Sequence, residues 1–400
     1  MFVKSYGSAV VGIEAITVAV EVNISAGIGL YMVGLPDNAV RESQERIRAA
    51  FENCSYKMSG RKVVVNLAPA DIRKEGSAYD LPIAVAVLAA TEQVDSAPLA
   101  RYVLMGELSL DGSLLPVRGA LPIAIQAQKE GFKGVILPKQ NAAEAAVVGS
   151  LEVYGAGHLR EVVGFLCGEH TLSRTTVDLE GRFRENAERF DVDFGDVRGL
   201  AHVKRALEIA AAGGHNVLMI GPPGSGKTML ARRMPSIMPP MMLQEALETT
   251  KIHSVAGKLG AETGLLVTRP FRSPHHLTSQ AALVGGGTSP QPGEISLAHN
   301  GILFADELPE FGRSLLETLR QPMEDKVITV SRSKYTVQYP ANFMLVASMN
   351  PCPCGYYNHP TKACVCSHGA VSKYLNRISG PMLDRIALHI EVIPVDFSEL

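Results

Sequence analysis

Short runs that favour strands alternate with helical runs over the first 166 residues. Residues 10–22 are rich in residues that favour β-structure, whereas residues 38–53 have the spacing of an amphipathic helix with charges on its polar face. Residues 81–91 are an apolar run that predicts a helix, and residues 119–130 predict another. This mixture predicts an α+β or α/β domain over residues 1–166.

The pattern changes twice further along the chain. Residues 167–193 contain few apolar and many charged positions, which is typical of a linker, and a surface helix over residues 180–189 is the alternative. Residues 200–212 predict an amphipathic helix, and residues 215–220 predict a buried strand that leads into a glycine-rich turn. A strand, a glycine loop and a helix in this order predict an α/β nucleotide-binding fold over residues 194–400.

The glycine-rich turn fits the spacing G-x-x-x-x-G-K-[ST]. Its residues are Gly221, Pro222, Pro223, Gly224, Ser225, Gly226, Lys227 and Thr228. Glycines allow backbone N–H groups to turn toward phosphate oxygens. Lys227 would supply a positive charge to the β- and γ-phosphates of ATP, and Thr228 would supply a hydroxyl to Mg²⁺.

A second apolar run, residues 302–305, ends in two carboxylates, Asp306 and Glu307. Ligands of α/β sheets bind at the carboxyl ends of the strands. We therefore expect Asp306 to hold the Mg²⁺ shell and Glu307 to orient and deprotonate the attacking water. An acidic pair exposed to solvent is the alternative for these two residues.

Two later residues complete the predicted ATP site. Asn350 follows an apolar run and resembles the sensor residue of AAA+ enzymes, although an Asn before Pro also favours a turn. Arg385 lies in a stretch that resembles the one carrying the arginine finger of ring ATPases, where a guanidinium stabilises the transition state of a neighbouring subunit. Arg377 is the rival candidate, and a surface ion pair with Asp384 is the alternative.

Four of the six cysteines are crowded into one short stretch as C-x-C…C-x-C, namely Cys352, Cys354, Cys364 and Cys366. In a reducing compartment such a cluster favours metal over disulfides, and four thiolates can close a tetrahedral Zn²⁺ site. The spacing is tighter than the usual C-x₂-C, so free or redox-active thiols and disulfides stay open as alternatives. A metal here would brace the loop after Asn350 or form a contact near a pore.

Residues 328–338 alternate polar and apolar positions around a Ser-Arg-Ser-Lys tip, which predicts a β-hairpin. Related motors place a hairpin at this point so that it faces the central pore. Arg332 and Lys334 could pair with the phosphates of DNA, and Tyr335 could stack on a base or sugar. A solvated hairpin tip is the alternative.

Composition narrows the classes of protein that this chain can represent. It has 400 residues, of which 46% are hydrophobic and 20% are charged, so it can build full-sized cores without disulfides. The formal net charge of −2 means that DNA binding must depend on a local basic patch or on the inner surface of an assembly. Glu14 and Glu21 interrupt any signal-peptide pattern, so we expect a soluble cytoplasmic protein without a membrane partner.

Several longer stretches resemble a known family. The similarity to magnesium-chelatase-type AAA+ proteins lies in residues 269–276, 283–287, 292–301 and 304–311. Within that group the chain resembles the YifB/ComM family, whose first domain is similar to residues 34–37, 66–71 and 73–77. The resemblance covers nearly the whole chain.

The resemblance implies an architecture and an activity. It implies a helix-2-insert AAA+ core, with the insert inside residues 251–287, preceded by a Lon-protease-like α+β domain. It also implies hexameric rings that use ATP and Mg²⁺ to move along single-stranded or branched DNA and promote branch migration in natural transformation or recombination. A chelatase-type motor that remodels a protein partner is the alternative. Family members continue into a small helical lid past residue 400, which we expect this chain to lack.

The resemblance also bears on two groups of reactive residues. Residues 74–78 are similar to the stretch that carries the Lon serine, but Ala78 takes the place of that serine and Ser77 is one position away. The first two turns of the helix at residues 119–131 contain no lysine, and a serine–lysine dyad needs both partners. We therefore expect no peptidase activity. The adjacent residues His275 and His276 could bind a metal. The preferred interpretation is that they belong to a family insert that packs or contacts a substrate.

Overall fold

The structure is a computed structural model that describes residues 1–179, 181, 183, 190–260, 263–287, 290–332 and 335–394, with the backbone alone at Arg332 and Tyr335. The chain divides into two compact units. The first unit consists of Met1–Leu179 and His253–Leu265, and the second consists of Glu180–Ile252 and Leu266–Leu400.

A mixed sheet forms the centre of the first unit. Its strands are β1 (Phe2–Val11), β2 (Glu14–Ser25), β3 (Gly29–Val33), β4 (Lys62–Ala68), β5 (Tyr102–Leu104), β8 (Gly134–Pro138) and β9 (Glu152–Ala156), in the order β3-β4-β2-β1-β5-β8-β9. The short strands β6 (Glu107–Leu108) and β7 (Leu114–Leu115) form a separate antiparallel pair. β1 and β2 are joined by a two-residue turn in which Gly12 has a φ of 65°, a conformation that suits a tight hairpin.

Helices cover this sheet. They are α1 (Asn38–Cys54), α2 (Asp80–Ala90), α3 (Ala120–Lys129), α4 (Lys139–Ala145) and α5 (Leu159–Leu166). Every residue of α2 is buried, which explains why this helix has no polar stripe. The helices predicted over residues 38–53, 81–91 and 119–130 are confirmed.

The first unit extends past the expected boundary at residue 166 and also takes in residues 253–265. Arg174 forms a β-bridge with Tyr154 and donates hydrogen bonds to nearby carbonyl oxygens. Ser254 donates a hydrogen bond to the buried carboxyl group of Glu144, and its carbonyl oxygen accepts from the Gly119 N–H at 3.2 Å. These contacts hold both segments in the first unit. Most of the alternative helix at residues 180–189 lies outside the described residues.

A parallel five-stranded sheet forms the centre of the second unit. Its strands are β10 (Val217–Ile220), β11 (Phe271–Arg272), β14 (Ile302–Ala305), β17 (Met344–Met349) and β18 (Leu388–Glu391). Their spatial order is β11-β14-β17-β10-β18, so the first strand of this sheet lies between the fourth and the fifth. β12 (Gly285–Gly286) and β13 (Gln291–Pro292) form a small separate pair.

Helices and a buried core surround the parallel strands. The helices are α6 (Ala201–Gly213), α7 (Lys227–Arg233), α8 (Leu243–Val255), α9 (Gln280–Val284), α10 (Glu294–Leu297), α11 (Arg313–Asp325), α12 (His368–Leu375) and α13 (Gly380–Leu383). The core joins Val203 and Leu207 of α6 to Phe304 of β14 and Val346 of β17. β14 and β17 are buried at every position, as expected for parallel strands covered on both faces.

The predicted hairpin is present as β15 (Val327–Arg332) and β16 (Tyr335–Pro340), which pair antiparallel with Arg332 opposite Tyr335. The side chains of the three proposed DNA contacts, Arg332, Lys334 and Tyr335, lie outside the described residues. Among the helices that the structure describes, none combines the length and the apolar character that crossing a membrane requires.

Candidate nucleotide-hydrolysis site

The register of three parallel strands determines where the predicted site residues lie. Ile220 of β10 is opposite Met349 of β17, and Ala305 of β14 is opposite Ala347 of β17. The chain therefore leaves all three strands at the same edge of the sheet. β10 and β17 are neighbours in space although more than a hundred residues of sequence separate them. Such a switch point at the carboxyl edge is where open α/β sheets bind ligands.

The glycine loop begins where β10 ends and wraps around one buried cation. Gly224 and Gly226 have φ angles of 78° and 87°, which side chains rarely adopt. The Nζ of Lys227 donates to the carbonyl oxygens of Gly221 and Pro222, each at 2.8 Å. Burial lowers the pKa of Lys227, and the nearby carboxylates oppose that effect. A buried ammonium whose closest partners are neutral carbonyls is suited to receive anionic phosphate oxygens.

The predicted magnesium ligands meet across the sheet edge. The Oγ1 of Thr228 donates to Oδ2 of Asp306 at 3.0 Å. Mg²⁺ binds oxygen ligands and uses one or two carboxylates together with substrate phosphates and water. The hydroxyl of Thr228 and the carboxylate of Asp306 fit that donor set. They would hold the ion next to the phosphates that Lys227 contacts.

Ser348 was missed by the sequence analysis and ties the two acidic residues together. This residue of β17 is 1% exposed. Its hydroxyl donates to Oδ1 of Asp306 and accepts a hydrogen bond from the backbone N–H of Glu307 at 3.2 Å. One hydroxyl thus orients the carboxylate of Asp306 and fixes the backbone that carries Glu307. A single polar residue within an apolar strand next to an Asp-Glu strand was the available signal.

Glu307 and Asn350 face a common cavity. The Oδ1 of Asn350 lies 3.4 Å from the Nζ of Lys227. A cavity of about 480 Å³ is lined by both residues together with Tyr374 and Arg377. The Glu307 carboxylate is half exposed and opens toward solvent. The arrangement leaves room for a water molecule between a carboxylate that can accept its proton and an amide that can orient it.

The two candidate arginines occupy different places. Arg377 lines the cavity, and its Nη1 lies 2.7 Å from the carboxylate of Glu310. Arg385 forms an ion pair with Glu324 and donates to the carbonyl oxygen of Pro381. None of the described contacts of Arg385 involves the phosphate loop of its own chain. Its described ion pair is with Glu324 rather than with its sequence neighbour Asp384, the alternative partner.

The four clustered cysteines point at one another. Their sulfur atoms all lie within 4.8 Å, and three Sγ–Sγ distances are 3.3, 3.6 and 3.7 Å. Four sulfurs at about 2.3 Å around one ion would stand about 3.8 Å apart in a tetrahedron. Backbone N–H groups of Tyr356 and Val365 lower the pKa of Cys354 to about 6, whereas burial and hydrogen bonds with Cys354 and Cys352 raise the pKa of Cys364 and of Cys366. A bound metal ion would itself favour the thiolate at each position. The donor set therefore fits a tetrahedral metal.

The cysteine loop also touches the phosphate loop. Gly355 has a φ of 84°, and a Cβ atom placed on it would lie 2.5 Å from Cδ of Pro223. Only glycine permits this close approach in this conformation. Pro353, between the first two clustered cysteines, lines the same cavity as Glu307 and Asn350.

In the first unit, Ser77 donates a hydrogen bond to the carboxylate of Glu107. Lys74 is fully buried and donates to the carbonyl oxygen of Pro69. The lysine of α3 is Lys129, at the last turn of the helix. The described partner of the Ser77 hydroxyl is therefore an acid rather than an amine.

Comparison with known proteins agrees with this geometry. A family described as "Magnesium chelatase, subunit ChlI" matches residues 193–400, and "Subunit ChlI of Mg-chelatase" matches residues 20–141. The chain is 48% identical over 389 residues to an uncharacterized protein YifB of Salmonella typhimurium, covering 96% of this chain and 74% of that protein. It is 46% identical to the competence protein ComM of Haemophilus influenzae, covering 97% and 75%. A magnesium-chelatase 67 kDa subunit of Chlorobaculum tepidum is 27% identical over 166 residues, which cover 40% of this chain and 23% of that subunit.

The strand order, the phosphate loop and the acidic pair at the sheet edge define a P-loop protein of the AAA+ class. With relatives that are nearly half identical over almost its entire length, the chain belongs to the YifB/ComM family of magnesium-chelatase-like AAA+ proteins.

The position of Ser348 generates the first prediction. Replacing Ser348 by Ala removes the hydrogen bond that orients Asp306 and releases the Glu307 backbone. We expect magnesium-dependent ATP hydrolysis to fall about ten- to hundredfold, as is typical when a partner of a metal ligand is lost. ATP binding measured without Mg²⁺ should stay within about twofold of the original value.

The matched control for this variant is Ser314→Ala, because Ser314 is exposed on α11. A Ser348→Ala protein that hydrolyses ATP at the unaltered rate at limiting Mg²⁺ would contradict the role of Ser348. Thermal melting of both variants separates a loss of orientation from a loss of fold.

Proposed function

We propose that this chain is the ATP-hydrolysing subunit of a ring motor that moves along DNA and promotes branch migration in natural transformation or recombination. The observation that supports ATP hydrolysis most directly is the meeting of Lys227, Asp306 and Asn350 at one sheet edge. Lys227 holds the β- and γ-phosphates. Thr228 and Asp306 hold Mg²⁺, which would neutralise developing charge when bound. Glu307 accepts a proton from water while the Asn350 amide orients that water.

We propose that the motor is a homo-oligomer, and in particular a hexamer. Within this chain the described ion pair of Arg385 is with Glu324 and not with the phosphate loop, as expected for an arginine that serves the nucleotide of a neighbouring copy. A guanidinium supplied from a neighbour stabilises the charge that spreads over the transferred phosphoryl group. Arg377 stays the rival, because it already lines the cavity of its own chain.

DNA is the proposed substrate of the moving ring. The printed name of one relative, competence protein ComM, associates that protein with competence, and it aligns along 97% of this chain. The hairpin β15–β16 supplies a two-stranded element on which Arg332, Lys334 and Tyr335 would meet the backbone and bases. The described partner of the Ser77 hydroxyl is the carboxylate of Glu107 rather than an amine. The first unit is therefore proposed to contact DNA or a partner or to aid assembly rather than to cleave peptides.

Remodelling of a protein partner is the second candidate function. It is favoured by the family match, since the magnesium-chelatase description matches residues 193–400. In that case the same hydrolysis cycle would drive a shape change in a bound protein, and DNA would leave the ATPase rate unchanged.

Substituting Glu307 by Gln keeps the size of the side chain but removes the proton acceptor. We expect ATP hydrolysis to fall by about 10²- to 10⁴-fold while ATP binding persists, because that is the range that general bases contribute. In the unaltered protein, single-stranded, double-stranded and forked DNA should each be tested for stimulation of the ATPase rate. A rise with forked or single-stranded DNA supports translocation.

Glu208→Gln, on the exposed side of α6, is the control for charge loss. Full ATPase activity in Glu307→Gln would refute the assignment of the base. An ATPase that is active but indifferent to every DNA would instead favour the remodelling function.

Removing both basic side chains at the hairpin tip, Arg332→Ala with Lys334→Ala, should weaken DNA binding and leave nucleotide binding intact. Two lost phosphate contacts should reduce the slope of log K against log salt by about 1.4 for single strands. Titration of fluorescent DNA at several salt concentrations measures this. The control pair is Lys204→Ala with Arg205→Ala on α6, and an unchanged salt slope at the hairpin counts against the assignment.

We also propose that Cys352, Cys354, Cys364 and Cys366 bind one Zn²⁺. The observations that support a metal are the sulfur–sulfur spacing and the backbone N–H groups directed at Cys354. Because Gly355 packs on Pro223 of the phosphate loop, the metal would brace the loop that follows Asn350.

Protein purified without chelator should contain about one zinc per chain by elemental analysis, and Co²⁺ in its place should give the intense visible absorption of tetrahedral thiolates. Cys364→Ser should lower metal content, whereas Cys167→Ser, which lies outside the cluster, should not. Stripping the metal should lower the melting temperature. Less than about a tenth of an equivalent of zinc would rule the site out.

A further inference from the structure

A histidine lies next to the proposed catalytic base. The Nδ1 of His276 is 3.8 Å from Oε2 of Glu307. The two residues come from neighbouring parallel strands, because β11 pairs with β14 and Arg272 is opposite Leu303. The segment after β11 and the segment after β14 therefore leave the sheet at the same edge.

The imidazole of His276 is held in place from two sides. Its ring centroid lies 4.1 Å from that of His275 and 6.4 Å from that of Phe311, whose ring it meets edge-on. The strand before it is anchored where the guanidinium of Arg272 makes two hydrogen bonds to Glu294, at 2.6 and 2.7 Å. These contacts restrict the positions that the ring can take beside Glu307.

The side chain of Glu307, in contrast, is held weakly. Its backbone adopts a φ of 56° and donates to Ser348, but the carboxylate is 55% exposed. Among the residues that the structure describes, His276 is the basic side chain found within 4 Å of this carboxylate. A half-exposed glutamate can adopt several rotamers, and only some of them direct an oxygen toward the attacking water.

We propose that His276 is a positioning residue for Glu307. Once nucleotide is bound, the Nδ1–H of His276, which lies 3.8 Å from Oε2 in this structure, closes to hydrogen-bond distance of Oε2. Oε1 is then left to accept the proton of water as the water oxygen attacks the γ-phosphorus and the bond to ADP breaks. The inference rests on the proposed ATP hydrolysis and deepens it. It also assigns His276 a role other than metal binding. The group of candidate metal ligands found among the described residues consists of the four cysteines.

His276→Ala should lower kcat for ATP about ten- to hundredfold and change KM and the Kd of a non-hydrolysable ATP analogue by less than about twofold. His276→Asn, whose amide nitrogen can take the place of Nδ1, should restore most of kcat. Rescue by Asn distinguishes positioning from simple packing. His389→Ala, exposed on the edge strand β18, is the control histidine.

A double variant provides the sharpest test. If His276 acts only through Glu307, His276→Ala should cause no further loss in a Glu307→Gln background. Equal losses in both backgrounds, or a change in KM with kcat unaltered, would overturn the proposal. Should His276→Ala melt before assay temperature, His276→Phe, which keeps a ring but has no N–H to donate, carries the same comparison. If Glu307→Gln is inactive while His276→Ala is fully active, this inference alone is refuted. If Glu307→Gln is active, the proposed function is refuted.

Discussion

The parallel register of β10, β14 and β17 is the constraint on which the rest of the second unit depends. Because Ile220, Ala305 and Met349 end their strands at one edge, a loop, an acidic pair and an amide that are far apart in sequence become neighbours. Hydrogen bonds then connect the strands laterally. Thr228 reaches Asp306, and Ser348 reaches the same carboxylate from the other side. A shift of one strand by a residue would separate all of these contacts at once.

Lys227 shows how the site is prepared for an anion. Its ammonium is buried against two carbonyl oxygens, a position that lowers its pKa because few charges compensate for the lost water. Phosphate oxygens would offer full negative charge in place of those carbonyl dipoles. The carboxylates of Asp306 and Glu307 oppose the effect of burial on this pKa. The cation that holds the two carbonyl oxygens of the loop is thus the one that would meet the phosphates.

Local pattern was enough to predict the strands, the phosphate loop and the acidic pair, because each is encoded within about ten residues of sequence. Contacts between strands were not predictable in this way. Ser348 and His276 both contact the acidic pair that follows β14. Nothing in the sequence around either residue indicates that β14 is the neighbouring strand. The inclusion of residues 253–265 in the first unit depends on Ser254 meeting Glu144 across 110 residues. Such contacts follow from topology, which single-sequence periodicity does not determine.

The cysteine loop contacts two parts of the site that are far apart in sequence, the phosphate loop and the segment around Asn350. Cys352 follows Asn350 by two positions, so the first thiolate and the amide share one short backbone segment. A few residues later Gly355 approaches Pro223 so closely that a single methyl group would displace the phosphate loop. A displacement of the four sulfur atoms would therefore affect both the Asn350 amide, which is proposed to orient water, and the loop that is proposed to hold phosphate. For that reason a tetrahedral ion at the four sulfurs would restrict the geometry of hydrolysis without touching the nucleotide.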